Sequence, residues 1–391
     1  MTKAILFSGD MMMEGGVQRG WLLVEGSTIS YVGKEKPDTI DPLTAAVDLP
    51  DGSVLLPGMI DLHIHGAAGA DVMDGTEEAL HKISRALPKE GTTSFLATTM
   101  TEREDVITNA LSKTAAYMKN QPTGQAELLG IHLEGPFISP KRAGAQPKDF
   151  IIAPNVDTFR RYNEAAENHV KLVTLAPEEP GGYELASYLQ SKGIIASIGH
   201  SDADYHEVVK SVEAGVTHGT HLYNGMRGIH HRDPGTAGGV LLLDEIMAEI
   251  IADGVHCDKE MVKMAYKLKG SSKLVLVTDA MRAKCLGDGM YTLGGQAVKV
   301  EDGKAMLSDG TLAGSVLSMN DAVQNVITFT GCSFEEIAKM TSENPAKELQ
   351  IFDRKGSLAK GKDADLTIIR SDGAVLATYC CGKKAYEIGG E

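Results

Sequence analysis

Cysteine is sparse in this chain of 391 residues and badly spaced for chemistry: Cys257, Cys285, Cys332, Cys380 and Cys381 make an odd five, with no Cys-x-x-Cys pair. A cysteine-built zinc or redox motif is thereby excluded, and reduced structural thiols are expected. Long apolar runs are missing too, none reaching the roughly 18 uninterrupted residues of a membrane helix. Residues 1–16 carry no basic segment followed by an apolar stretch and a small-residue cleavage site, so no secretory signal is read there. A soluble, cytoplasmic protein is expected. Positive charge is in deficit, with 38 Lys and Arg against 53 Asp and Glu and a formal net charge of -15. Nucleic acid and anionic membrane are disfavoured as partners, because both reward clustered Lys and Arg. A small anionic substrate would need its own basic pocket. No fixed-period repeat, low-complexity tract or long linker appears.

What is present is ordinary globular composition, 42% hydrophobic and 23% charged, arranged in an alternating pattern. Eight short apolar runs recur: Val54 to His63, Thr92 to Thr99, Leu128 to Glu134, Val170 to Ala176, Ile194 to His200, Val216 to Asn224, Ala248 to Asp253 and Lys273 to Asp279. Between them lie helix-period segments such as Asp202 to Gly215, where an acidic cap precedes Val208, Val209 and Val212, and Asp258 to Gly270, where Met261, Met264, Ala265 and Leu268 share one face; both close in glycine. Eight consecutive strand–helix units predict an α/β fold, a closed (β/α)8 TIM-type barrel, over a doubly wound open sheet. Two further helices follow, near Met319 to Thr330 and Ser333 to Leu349, the second opening with the capping box Ser333-x-x-Glu336. The chain ends hold only short strands, Ile5 to Phe7, Gly20 to Glu25, Thr28 to Gly33, Ala364 to Ile369 and Ala374 to Thr378. They predict one discontinuous small β-sandwich domain, residues 1–54 with 350–391, and a barrel over 55–349.

Barrel active sites are built at the C-terminal ends of the strands, and that rule selects residues here without any motif. His63 and His65, two apart on a strand, present both imidazoles on one side. Glu134 follows the third strand, His200 the fifth, His221 the sixth and Asp279 the eighth. Singly, Glu134 reads equally as a turn cap, His200 as a core histidine and Asp279 as a helix N-cap; as a set they read as ligands. Two nearby dications need an anionic bridge. The arrangement expected is His63 and His65 on one metal, His200 and His221 on the other, Glu134 between them and Asp279 beside the attacking water. Imidazole and carboxylate suit zinc, iron, manganese or cobalt. His256 follows the seventh strand on the active face, His132 shares the parity of Glu134 and is read as lining the barrel interior, and His218 is expected on the opposite face from His221.

These motifs, His63-Ile64-His65-Gly66, His132-Leu133-Glu134-Gly135-Pro136-Phe137, Gly199-His200-Ser201, Thr220-His221-Leu222-Tyr223-Asn224 and Val277-Thr278-Asp279-Ala280, resemble in order the signatures of the N-acetylglucosamine-6-phosphate deacetylases of the amidohydrolase superfamily. The resemblance implies metal-activated hydrolysis of the acetamide of N-acetylglucosamine 6-phosphate, in amino sugar catabolism and cell-wall sugar recycling. It implies Glu134, His200 and His221 as metal ligands and Asp279 as general base and then general acid. Because His63 and His65 are retained, two divalent cations per chain are expected, zinc or iron before manganese or cobalt. The family also implies sugar contacts at Ala145, Gln146, Asn224, Gly225 and Leu312-Ala313-Gly314, and a phosphate held by Arg232 and His256 across a homodimer interface. Gln146 is a departure, standing where some members carry a carbonyl-polarising histidine; it donates a hydrogen bond without charge. The alternative readings are the same chemistry on N-acetylgalactosamine 6-phosphate, or a catalytically silent barrel serving as scaffold or sugar sensor. For Arg232 the alternative is a surface ion pair with Asp233.

Overall fold

The computed structural model describes residues 4–390. Eight parallel strands, Met59–Ile64, Thr92–Thr98, Glu127–Glu134, Val170–Leu175, Ile195–Ile198, Val216–Gly219, Met247–Ile250 and Leu274–Leu276, stand side by side in chain order. Nearly all their residues are buried, so the strands read in sequence as continuous apolar runs and not as alternation. Helices cover the outside. In Tyr205–Glu213 the Asp204 carboxylate accepts from the Glu207 N–H while Glu207 accepts from the Asp204 N–H, so the acidic cap expected in this segment falls two residues after its predicted start at Asp202. Lys259–Lys269 is capped by Asp258 and released at Gly270, whose φ of 64° favours glycine.

The ring closes between the first and eighth strands by a seam of individual bonds. Asp279 N–H donates to the His63 carbonyl at 2.8 Å and His65 N–H to the Ala280 carbonyl at 2.9 Å. Below them the buried Asp61 carboxylate accepts from the Thr278 hydroxyl at 2.6 Å, the Thr278 N–H at 3.3 Å and the His63 N–H at 3.2 Å. At the opposite end of the same seam sits the helical segment Phe334–Ala338 and Asn344–Glu348, joined by a π turn at Lys339–Glu343. Pro345 lacks an N–H for the helical ladder, which accounts for the widened turn just before it. From this segment the Asn344 amide donates to the carbonyls of Ser271 (2.8 Å) and Leu274 (2.7 Å), and the Ser342 hydroxyl to Pro57 (3.3 Å).

The run Val54 to His63 is two strands, not one. Ser53–Pro57 pairs with Leu366–Arg370 in a second sheet, and Met59–Ile64 enters the barrel. Gly58 is the hinge, for a Cβ there would lie 2.2 Å from Thr93 Oγ1. The second sheet draws eight strands from both chain ends, and two of those foreseen are longer than the sequence suggests: Ile5–Met13 pairs along its whole length with Gly16–Glu25. The small β unit is one sheet curled until Thr28 bridges Asp363, which is how the expected sandwich is realised. A three-stranded antiparallel insert, Gly289–Leu293, Gln296–Glu301 and Lys304–Met306, follows the eighth barrel strand and was not read from the sequence.

The seam gives a stability prediction. Asp61→Ala strips the acceptor from two Thr278 donors in a dry interior, at roughly 1–3 kcal/mol for each. Denaturant unfolding should show a loss of about 3 kcal/mol; a loss under about 0.5 kcal/mol would mean that the barrel does not depend on this carboxylate.

Candidate metal centre and active site

The side chains selected at barrel-strand ends converge on one carboxylate. Glu134, ending the third strand, places Oε1 at 3.1 Å from His221 Nε2, 3.2 Å from His200 Nε2 and 3.5 Å from His63 Nε2, and Oε2 at 3.2 Å from His65 Nε2. Asp279 Oδ1 completes the ring, 3.4 Å from His63 Nε2 and 3.2 Å from His65 Nε2. The four histidines and Glu134 are buried; the Asp279 side chain keeps 12% exposure and so remains within reach of a substrate.

Turning each side chain into the barrel mouth requires unusual backbone. His200, His221 and Asp279 have φ of 47°, 32° and 47°, left-handed values that cost a non-glycine residue roughly 1–3 kcal/mol each. Specific bonds hold these turns: the Ser139 N–H donates to the His200 carbonyl at 2.9 Å, the His221 N–H to the Glu249 carboxylate at 3.1 Å, and the Ser315 N–H to the Asp279 carbonyl at 2.8 Å. Gly225 makes room for His200, whose Nδ1 lies 2.8 Å from where a Cβ would stand.

The donor set fits a divalent cation. The Arg142 carbonyl can only accept, so His200 donates to it from Nδ1 at 2.8 Å and turns an Nε2 lone pair inward. His221 Nε2 lies 3.1 Å from that nitrogen, both facing Glu134 Oε1, an approach that needs a proton or a cation between the rings. Likewise His63 gives its Nδ1–H to Glu249 at 3.0 Å, and its buried Nε2 has no hydrogen-bond partner among the described residues. Two groups could therefore each hold an ion, His63 with His65 and Asp279, and Glu134 with His200 and His221. Electrostatics agree with that fit. Burial opposes charge on His65, but Asp279 and Glu134 outweigh it and push its pKa up to about 9; His63 is raised well above its ordinary value against the same burial by Asp279, Glu134 and Glu249. Burial alone would raise Glu134 and Asp279, yet His63 and its neighbours hold both below the usual carboxylate range.

Two other clusters are accounted for without an ion. His63, His132 and Glu249 lie together, but His132 Nε2 bonds the Thr174 hydroxyl at 2.7 Å and Glu249 bonds His218. Burial and the adjacent His63 push His132 down to about 3, so it is a neutral ring packed inside the barrel. Glu127 and Asp363, grouped with Cys381, enclose the Lys355 ammonium at 2.7 and 2.9 Å, where an ion would otherwise sit.

The cluster floors a cavity of about 380 Å³. Of the expected sugar contacts, Ala145, Gln146, Asn224, Gly225, Leu312 and Gly314 line it, with His256, while Ala313 is buried one layer behind in the apolar centre of the insert. Leu293 of the insert and Gly310 beyond it also line the cavity. Gln146 is already committed: the Thr101 N–H donates to its Oε1 at 2.7 Å, so its Nε2 donates to Glu134 Oε2 at 2.9 Å. His256 gives Nδ1–H to Asp253 at 2.7 Å; burial opposes its charge, and Asp253 prevails, raising its pKa. Arg232 is the exception. It stands on an exposed loop outside the cavity of its own chain, and Asp233, its alternative partner, is instead held by Arg227 at 2.7 Å. His218, expected on the face opposite His221, points inward to Glu249 at 3.2 Å, because the strand ends at Gly219 and the backbone turns before His221. Glu249 itself was missed. Its signal was a lone carboxylate in the apolar strand Met247–Ile250, a costly placement unless paired.

A parallel eight-stranded barrel with histidines and carboxylates gathered at its C-terminal mouth defines a class, and comparison agrees: the profile of the amidohydrolase family matches residues 54–385, and the chain belongs to that family, which is metal-dependent. Within it, the chain is 50% identical over 372 residues to the N-acetylglucosamine-6-phosphate deacetylase of Bacillus subtilis, covering 95% of this chain and 93% of the relative. Among solved structures it is similar to the N-acetylglucosamine-6-phosphate deacetylase of Pasteurella multocida, with a TM-score of 0.91, 31% identity, and coverage of 97% and 99%. A mutant of the Mycobacterium smegmatis enzyme, in complex with N-acetyl-D-glucosamine-6-phosphate, matches with a TM-score of 0.91 at 27% identity, covering 98% and 99%.

The raised imidazoles predict proton-linked metal binding. His65, ordinarily at 6.5, is held up to about 9 in the metal-free fold, so between these values it carries a proton that an entering cation displaces. Affinity should therefore climb as pH rises towards about 9. Calorimetric titration of zinc at pH 7.5 in buffers of differing ionisation enthalpy should register proton release; identical heats in every buffer would contradict it.

Proposed function

We propose that this chain hydrolyses the acetamide of N-acetylglucosamine 6-phosphate to glucosamine 6-phosphate and acetate, as a cytoplasmic homodimer with two divalent cations per chain. The observation that carries the reading is the convergence of His63, His65, His200 and His221 on Glu134, with Asp279 beside them on the cavity floor. The similarity to the Bacillus subtilis deacetylase supports the substrate. The barrel, residues 59–349, does the chemistry in this reading, and residues 4–57 with 350–390 form the supporting β unit, the boundary expected at 54 moving to Gly58 because Ser53–Pro57 pairs with Leu366–Arg370.

An amide is a poor electrophile and an amine a poor leaving group, so the reaction needs both carbonyl activation and proton traffic. When bound, a divalent cation polarises the carbonyl and lowers the pKa of water towards about 7. His63, His65 and Asp279 would hold one ion and His200 and His221 the other, with Glu134 shared; the donor atoms suit zinc or iron, and also manganese or cobalt. Asp279 accepts the proton of the attacking water, being ionised and partly exposed, and returns it to the departing nitrogen. Gln146 steadies Glu134, and its remaining amide hydrogen is free to meet the acetyl oxygen. Asn224, Gly225 and the Leu312-Ala313-Gly314 backbone orient the sugar ring. His256, whose pKa the adjacent Asp253 raises against burial, takes the phosphate. Arg232 lies outside its own cavity, and we assign it to the phosphate of a second copy, where its guanidinium adds to the positive charge that a chain of net charge -15 has little of.

Two experiments test the assignment. Asp279→Asn should keep the fold but lose roughly 100- to 10,000-fold in kcat, the range of a proton-transferring group; activity within a few-fold of the parent would remove Asp279 from the mechanism. Arg232→Ala and Asp279→Asn chains, each nearly inactive on the phosphorylated sugar, should complement when unfolded and refolded together. Random pairing leaves about a quarter of sites with both residues intact in a symmetric dimer. No recovery from the mixture would show that Arg232 does not act across an interface.

A further inference from the structure

A line of alternating imidazoles and carboxylates runs through the barrel from its mouth to the helix beneath it. His63 Nδ1 lies 3.0 Å from Glu249 Oε2, His218 Nε2 lies 3.2 Å from Glu249 Oε1, and His218 Nδ1 lies 2.9 Å from Glu348 Oε2. His63, His218 and Glu249 are fully buried, and Glu348, at the end of Asn344–Glu348, keeps 19% exposure. An isolated charge in such a place is prohibitively costly, so a pair of carboxylates there calls for an account. Both nitrogens of His218 face groups that only accept, so both carry protons, and the imidazolium compensates Glu249. Glu249 Oε2 also accepts the His221 backbone N–H at 3.1 Å.

From this geometry we infer that Glu249 is the positioning residue for both proposed ion sites, and that His218 and Glu348 anchor it. Its bond to His63 Nδ1 fixes the tautomer whose Nε2 lone pair points at Glu134 and Asp279. Its bond to the His221 N–H holds the left-handed turn that aims the second imidazole. One carboxylate thus sets the direction of a ligand in each group, and Glu348 ties that setting to the segment that clamps the closure seam. The inference rests on the metal assignment above but concerns residues that touch neither ion nor substrate.

Zinc affinity measured by chelator competition on the refolded, metal-free full chain tests it, with the visible spectrum of the cobalt(II) form as a second readout. Glu249→Gln should weaken zinc binding by roughly 10- to 100-fold, as for other orienting partners of metal-bound histidine, and alter the cobalt bands. A merely structural role would lower the melting temperature of the metal-free chain and leave affinity and spectrum alone, which would overturn the inference. If Glu249→Gln does not fold, Glu348→Gln decides, since that residue touches the line only at its outer end. A several-fold weaker zinc affinity there supports the inference, and an affinity within about twofold of the parent overturns it. A parent chain that binds no zinc or cobalt would instead sink the metal reading itself, and the inference with it.

Discussion

Five ligand-type side chains crowd around the Glu134 carboxylate in a buried cluster, and the rest of the fold is arranged to make that crowding tolerable. Carboxylates pushed together repel, and buried imidazoles resist protonation, so neither set is stable there by itself. Interleaved, each stabilises the charge of the other: His63 and His65 are raised while Glu134 and Asp279 are lowered, against burial in both cases. A divalent cation can take over the protons' part in this balance. The same economy explains Gln146, whose neutral amide supplies Glu134 with a donor and adds no charge.

Such a cluster cannot be made by straight strands alone. A strand aims alternate residues inward along its length, but ligands from different strands must meet at one height above the barrel floor. The left-handed turns at His200, His221 and Asp279 do this, at a local conformational cost met by bonds from Ser139, Glu249 and Ser315. The stored strain lies where ligands are aimed, which is the pattern expected when backbone geometry serves a site and not packing.

That distinction separates what the sequence disclosed from what it hid. Strand runs, helix caps such as the Ser333–Glu336 box, and residues at strand ends obey local rules, and so they were legible. The hinge at Gly58 was not, because it depends on Thr93 lying against it, a contact between neighbouring strands. Counting side-chain parity through His218 to His221 failed because the strand stops at Gly219, and alternation has no meaning past that point. The insert at Gly289–Met306 was invisible because its strands put only a few apolar residues inward, Leu293, Val298 and Val300 among them, too weak a period to stand out. Glu249 was written plainly in the sequence, and only its partners, 186 and 31 residues away, give it meaning.

The placement of the seam carries the last consequence. His63, on the first strand, His65, just past its end, and Asp279, just past the end of the eighth, are far apart in sequence and adjacent only when the barrel shuts. Asp61 and Thr278 latch the two strands just below these ligands, and Asn344 binds the eighth strand from beneath. Closing the ring therefore also assembles one of the ion groups. A cation that binds only the closed ring stabilises it in proportion to its occupancy, by RT ln(1 + [L]/Kd). Opening of the seam and loss of the ion are then a single equilibrium, in which a ligand bound at the barrel mouth and the helix packed at its base resist the same separation of strands.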